Sequence, residues 1–406
     1  MDDADVRGKV VLVRVDFNSP VDPATRTILD DVRIRAHGGT TIRELAEKGA
    51  KVVVLAHQGR KGEPDFIPMK QHAELLANIL NKPVKYVDDV CGERAKEAVT
   101  SLKSGEVLVL DNVRFLPFET KEMQPADHAK TELVRGLAPL ADLFVLDAFA
   151  SAHRAHSSVI GFTVVLPSVA GRVMQKELTS LDRVLETPRK PCLFILGGSK
   201  ADDSLEISRY VLKNGIADRV LTGGVVGQVF LAAKGYDLGR QNMAFLETKG
   251  VTALIPGVRE LIRDYPRRVV LPEDVAVKVH GRREEIPVNK LPTEYKIEDI
   301  GERTIESYGR LIKDAGSIVF SGPMGVYEDR EMAMGTRKVF EKISNSKAFS
   351  LAGGGHTISA LEEFGLSGRV SYISTAGGAL TEYLMGKKLP GVVALETAAT
   401  TRKKGD

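Results

Sequence analysis

The stretch Lys51-Val-Val-Val-Leu-Ala-His-Gln-Gly-Arg60 passes from unbroken apolar residues straight to an imidazole, an amide, a glycine and a guanidinium. An apolar run without polar alternation suits a parallel strand covered on both faces, because neither face meets water. Similar runs recur at residues 9–15, 106–110 and 143–146, and then at 191–196, 219–221, 268–271, 317–320, 348–351 and 370–373. Helical periodicity lies between many of them, at residues 39–48, 70–80, 304–314 and 331–343. Strand followed by helix, repeated, predicts an α/β fold: two doubly wound parallel-sheet (Rossmann-like) domains joined by a hinge helix.

A chain of 406 residues is too long for one compact core, which also favours two domains. With 43% hydrophobic and 27% charged residues, it has the composition of a globular protein, and long disorder is not expected. The formal charge of +3, from 57 Lys and Arg against 54 Asp and Glu, gives no reason to expect a nucleic-acid partner. Cys91 and Cys192 fit no metal or redox spacing and read as buried thiols in a reducing compartment. The acidic start Met1-Asp-Asp-Ala-Asp5 is unlike a signal peptide. No apolar run approaches the roughly 20 residues of a membrane span. A cytoplasmic protein with no membrane partner is expected; the oligomeric state is left open.

The domain boundary is expected after Pro167-Ser168, where an amphipathic helical pattern begins with Ser168 as its N-cap and ends before Pro188 and Pro191. This gives a first domain at 1–168, a hinge helix at 169–187 and a second domain at 188–388. A tail at 389–406 is expected to return to the first domain and to end in the polar stretch 400–406.

Ligands of open α/β sheets bind beyond the carboxyl ends of the strands, so the residues after each run carry the chemistry. In the first half these are Asp16 and Asn18, His57 and Arg60, Asp111 and Arg114, and the segment Asp147-Ala-Phe-Ala-Ser-Ala-His-Arg-Ala-His-Ser-Ser158. They form a basic patch, if the fold brings the strand ends together, and guanidinium forks suit phosphate and carboxylate. A turn built by Asp16, Asn18 and Pro20 remains open as a purely local reading. A metal pair from His153 and His156 is weak, since no carboxylate or Cys completes the set locally and Arg154 between them repels a cation.

In the second half the strand ends carry glycines instead: Gly197-Gly198, Gly223-Gly224, Gly322, Gly353-Gly354-Gly355 and Gly377-Gly378. Glycine lets backbone approach a ligand closely, and helix starts present free N–H groups to phosphate. Neither GxxxxGK[ST] nor GxGxxG is present, which argues against a nicotinamide dehydrogenase. Aromatics at 6%, with no Trp, argue against a protein that stacks single-stranded RNA.

These motifs identify a family. The signatures RVDFN at Arg14, DAFASAHRAHSS at Asp147, LGGSK at Leu196, GPMGVYE at Gly322 and STAGGA at Ser374 resemble those of phosphoglycerate kinases, most of all the archaeal branch, in order and spacing along the chain. The resemblance implies reversible phosphoryl transfer between 1,3-bisphosphoglycerate and ADP, with Mg²⁺, by direct in-line transfer after domain closure. It also implies that Asp16, Asn18, Arg33, His57, Arg60, Arg114 and Arg154 hold the 3-phosphoglycerate end, with His153 and His156 in the same patch. Lys200 would serve the transferring phosphoryl group, opposite Arg33. Gly223, Gly224, Glu328, Gly354, Gly355, His356, Thr357, Gly377 and Gly378 would serve ATP or ADP. Three positions depart from the family pattern: Ser204 replaces a second lysine, His356 replaces the aspartate of GGGDT, and Ser321 stands where Asn often precedes Gly-Pro. No metal ligand is therefore assigned, and Asp202 or Asp203 offers a substitute carboxylate.

Overall fold

The computed structural model describes residues 1–2 and 4–402; one residue of the acidic start and the last four of the polar end lie outside the described residues. The chain divides into two compact units. The first takes Met1–Leu178 together with the segment from Lys388 onward, and the second takes Thr179–Lys387.

In the first unit, β1 (Val10–Arg14), β2 (Lys51–Leu55), β3 (Lys85–Tyr86), β4 (Val107–Val109), β5 (Leu143–Leu146) and β6 (Ser168–Ala170) form one parallel sheet in the order β3-β4-β2-β1-β5-β6. Val11, Val13, Val52 and Val54 enter the same core as Ile42, Leu45, Leu76 and Leu80 from the covering helices. Leu12 and Val53, pointing to the opposite face, are equally buried. Each such side chain contributes about 1.5–3 kcal/mol by leaving water, which is why these strands read as unbroken apolar runs.

The second unit repeats the plan with a different order. Its strands β7 (Cys192–Leu196), β8 (Arg219–Thr222) and β9 (Val269–Val270) precede a three-stranded antiparallel sheet of β10 (Asp274–Val279), β11 (Arg282–Pro287) and β12 (Ile297–Ile300). Strands β13 (Ser317–Ser321), β14 (Phe349–Gly353) and β15 (Tyr372–Ser374) then complete a six-stranded parallel sheet, β15-β14-β13-β7-β8-β9. The sequence reading did not foresee the antiparallel sheet. Its signal was His280-Gly281, both with positive φ (48° and 79°), which close a two-residue hairpin with Val279 opposite Arg282.

One helical expectation is extended and another needs correction. The pattern at 39–48 belongs to a longer unbroken helical stretch, Val32–His37, a π-helical stretch at Gly38–Ile42, and Arg43–Glu47. The expected hinge helix starts later than residue 169, because Ser168–Ala170 pairs with β5 instead; the helix is Arg172–Leu185, and the unit boundary falls within it. Ser168 is not its cap. Asp147, fully buried at the end of β5, accepts the N–H groups of Val173 (2.9 Å) and Met174 (3.2 Å) on Oδ1, while Oδ2 meets His37 Nδ1 at 2.7 Å. Asp147→Ala would strand all three groups. A loss of about 2–4 kcal/mol is expected, measured as a lower melting temperature; an unchanged melting curve would show that the cap is dispensable.

Both cysteines are free; Cys192 is buried as expected, but Cys91 is only partly buried. No helix among the described residues is long and apolar enough to cross a membrane.

Candidate functional site

In the first unit the ends of β4, β2, β1 and β5, neighbours in the sheet, bring the cationic residues together. Arg33 Nη1 donates to Asp16 Oδ2 at 2.5 Å, and Asn18 Oδ1 accepts the Gly59 N–H at 2.8 Å. Arg114 Nη1 donates to the Gly59 carbonyl at 2.5 Å, so the loops after β2 and β4 are joined beside Arg60. Arg154 Nε lies 3.2 Å from His153 Nε2. Burial, then the positive fields of Arg14, Arg114, Arg154 and His156, hold His57 well below the usual imidazole value. Burial first, and the same guanidinium groups, push His156 down to about 3, so both rings are neutral at physiological pH. Burial, then Arg154 and Arg14, lower Arg114 to about 10. A patch in which cations depress one another is poised to gain from an anion.

Arg14 and Glu119 were not foreseen as site residues. Arg14 is 1% exposed and Glu119 fully buried beneath the patch. Arg14 Nε donates to Ser158 Oγ at 2.7 Å and Nη2 meets His57 Nδ1 at 3.1 Å.

In the second unit a cavity of about 310 Å³ opens at the glycine loops. Gly198, Gly224, Glu328 and His356 line it, as does Ser199 next to Lys200. Its other walls include Phe245, Lys249, Lys296, Val326 and Tyr327. The Phe245 ring has the Lys296 and Lys249 ammonium groups 5.3 and 5.7 Å from its centroid. Tyr327 Oη is 3.3 Å from His356 Nδ1. Sequence reasoning missed Phe245 because it comes from the helix Arg240–Thr248 rather than from a strand end. Tyr327 sat beside Glu328 in a segment already singled out, and that adjacency was the available signal.

Several glycines serve the loops themselves. Gly198 N–H donates to Pro323 O and Gly224 N–H to Met324 O, both at 2.7 Å. A Cβ on Gly223 would meet Met324 Sδ at 2.6 Å, whereas Gly355 and Gly377 have open space at that position. Gly354, with φ of 92°, precedes the helix Gly355–Glu363, and Gly377 precedes Gly378–Leu384. Thr357 is buried, its hydroxyl accepting the Gly322 N–H at 2.7 Å.

The Lys200 ammonium projects into solvent, 80% exposed and 3.8 Å from Asp203. Ser204 is buried, and its hydroxyl donates to the Lys200 carbonyl at 3.0 Å. Burial and the adjacent Asp202 push the Asp203 carboxyl up. Two crowded carboxylates in the first helical turn, three and four residues after Ser199 of the cavity wall, would be relieved by a divalent cation, so the residues present fit Mg²⁺ carried in by a nucleotide. No cluster of three or more His, Cys, Asp or Glu among the described residues forms a metal cage without that nucleotide.

A cationic strand-end site on one α/β unit and a glycine-bounded cavity on another define a two-unit phosphotransferase of the kinase class. The phosphoglycerate kinase family model matches residues 1–387. Phosphoglycerate kinase of Methanothermobacter thermautotrophicus is 47% identical over 396 residues, covering 98% of this chain and 96% of its own. Phosphoglycerate kinase 2 of Methanosarcina acetivorans is 47% identical over 399 residues, covering 98% and 95%. The crystal structure of phosphoglycerate kinase from Pyrococcus horikoshii superposes with a TM-score of 0.88 at 40% identity, covering 98% of this chain and 99% of that one. The structure of phosphoglycerate kinase from Coxiella burnetii gives 0.85 at 31% identity, covering 98% of each chain. The chain belongs to the phosphoglycerate kinase family.

Proposed function

We propose that the chain catalyses reversible phosphoryl transfer between 1,3-bisphosphoglycerate and ADP, giving 3-phosphoglycerate and ATP, with a carboxyl group as acceptor in the reverse direction. The observation that carries this reading is the cluster of mutually depressed cations at the ends of β1, β2, β4 and β5. Asp16, Asn18, His57, Arg60, Arg114, His153, Arg154 and His156 form the acid-phosphate site, with Arg33 toward the transferring group. Gly223, Gly224 and Glu328 hold the nucleoside. Gly354, Gly355, His356, Thr357, Gly377 and Gly378 serve its phosphates, and Lys200 offsets charge on the phosphoryl group in flight. No covalent intermediate on the protein is required, because phosphoryl transfer depends on positioning and charge stabilisation. Asp203 and Asp202 would hold Mg²⁺, which neutralises nucleotide phosphate charge. A cytoplasmic setting suits two cysteines kept as thiols.

The test is a coupled assay with 3-phosphoglycerate and ATP. Turnover is expected with Mg²⁺ and its loss on chelation. Absence of activity under both conditions would remove the kinase reading.

A further inference from the structure

The buried groups beneath the cationic patch form a directed relay. Arginine can only donate hydrogen bonds. Arg14 Nε therefore donates to Ser158 Oγ (2.7 Å), and the Ser158 hydroxyl donates to Glu119 Oε1, 2.5 Å away. The Ser158 N–H donates to the other oxygen, Glu119 Oε2, at 3.0 Å. Both carboxyl oxygens accept, which is the arrangement an ionised Glu119 satisfies. At the far end Arg14 Nη2 donates to His57 Nδ1 at 3.1 Å, which leaves Nε2 as the protonated nitrogen of a neutral ring.

We propose that Glu119 is a positioning residue: through Ser158 and Arg14 it fixes His57 in the Nε2–H tautomer, so that this N–H is the donor offered to the substrate anion. The inference rests on the acid-phosphate site argued above. A merely structural role is disfavoured, because burial pushes the Glu119 carboxyl up to about 7 against the opposing pull of Arg14 and Ser158. A raised carboxyl pKa means the folded chain holds that proton more tightly than the unfolded one. The associated stability is complete below the ordinary value of 4.5 and is lost as pH rises through about 7. The ionised form thus costs stability where the relay needs it.

Arg14, Arg114 and His156 face Glu119, the last at 3.9 Å. His156 stays neutral and Arg114 charged between pH 6 and 8, because burial holds them near 3 and 10. Of these three groups Glu119 is the one that changes charge there.

The test compares wild type with Glu119→Gln from pH 6 to 8. In wild type KM for 3-phosphoglycerate should rise as pH falls below about 7. In the variant KM at pH 8 should be raised about tenfold, the loss of one charge-assisted hydrogen bond, with kcat little changed and the pH dependence flattened. Titration of the substrate phosphate is common to both proteins and cancels in the comparison. Imidazole ¹⁵N shifts should show His57 Nδ1 unprotonated in wild type and tautomers mixing in the variant. The variant should melt no lower than wild type at pH 8, since it removes a buried charge. A protonated Nδ1 in wild type, or KM profiles that run parallel in the two proteins, would overturn the proposal. So would a variant that melts lower and loses kcat and kcat/KM together. An inactive wild type would instead remove the kinase reading, which keeps the two failures distinct.

Discussion

Lys200→Ala is expected to lower kcat by about two to three orders of magnitude, the usual cost of removing a group that stabilises charge in the transition state. KM for either substrate should move far less. The side chain is 80% exposed and its ionic neighbour Asp203 is 3.8 Å away, so nothing in the core depends on it. The melting temperature should therefore stay where it is. A group that matters only when charge develops on a transferring phosphoryl should leave ground-state binding almost intact. Near-normal turnover in this variant would remove Lys200 from the reaction.

Gly322→Ala should produce the largest loss of stability. Gly322 has a φ of 83°, where an L side chain is strained, and its added Cβ would lie 2.3 Å from the Gly197 carbonyl oxygen and 2.7 Å from the Gly198 nitrogen. Both obstacles are backbone, held in place by Gly197 N–H to Ser321 O (2.8 Å) and Gly198 N–H to Pro323 O (2.7 Å), so neither can yield as a flexible side chain would. Strain and overpacking together are expected to cost about 3 kcal/mol or more. The readout is a lower melting temperature with loss of ADP binding by calorimetry, while 3-phosphoglycerate binding to the first unit survives. A variant that melts like wild type would show that the loops have slack the geometry denies them.

The sequence made the parallel sheets legible because burial on both faces leaves an unmistakable apolar run, as in Val52–Val54 and Leu193–Leu196, and every run singled out is a strand. What it hid follows from the same cause. Edge strands such as β3 and β6 are short and half exposed, and β11, with Arg283 and Glu285, has a polar surface that reads as a loop. The first-half candidates other than Arg33 were visible since each follows a strand; Arg33 lies on the helix Val32–His37 and came only from the family resemblance. Glu119 and Arg14 were not, because their roles arise from pairings across 39 and 144 residues of chain that no local pattern encodes. In the second half, strand-end glycines suggested room for a ligand. Gly197, Gly224 and Gly322 first allow three loops to press backbone against backbone, and the aromatic wall of the cavity comes from Phe245 on a helix outside the sheet.

The first unit is not continuous in sequence. The helix Pro390–Arg402 belongs to it, and Gly391 N–H donates to the Ala152 carbonyl at 2.8 Å, where an added Cβ would press on Ala152 at 3.1 Å. During translation, residues 179–387 must all leave the ribosome before this last helix does. The strands of the first sheet therefore wait, missing one piece of their cover, while the second unit is made and can fold on its own. The half that is synthesised first is the half that is completed last.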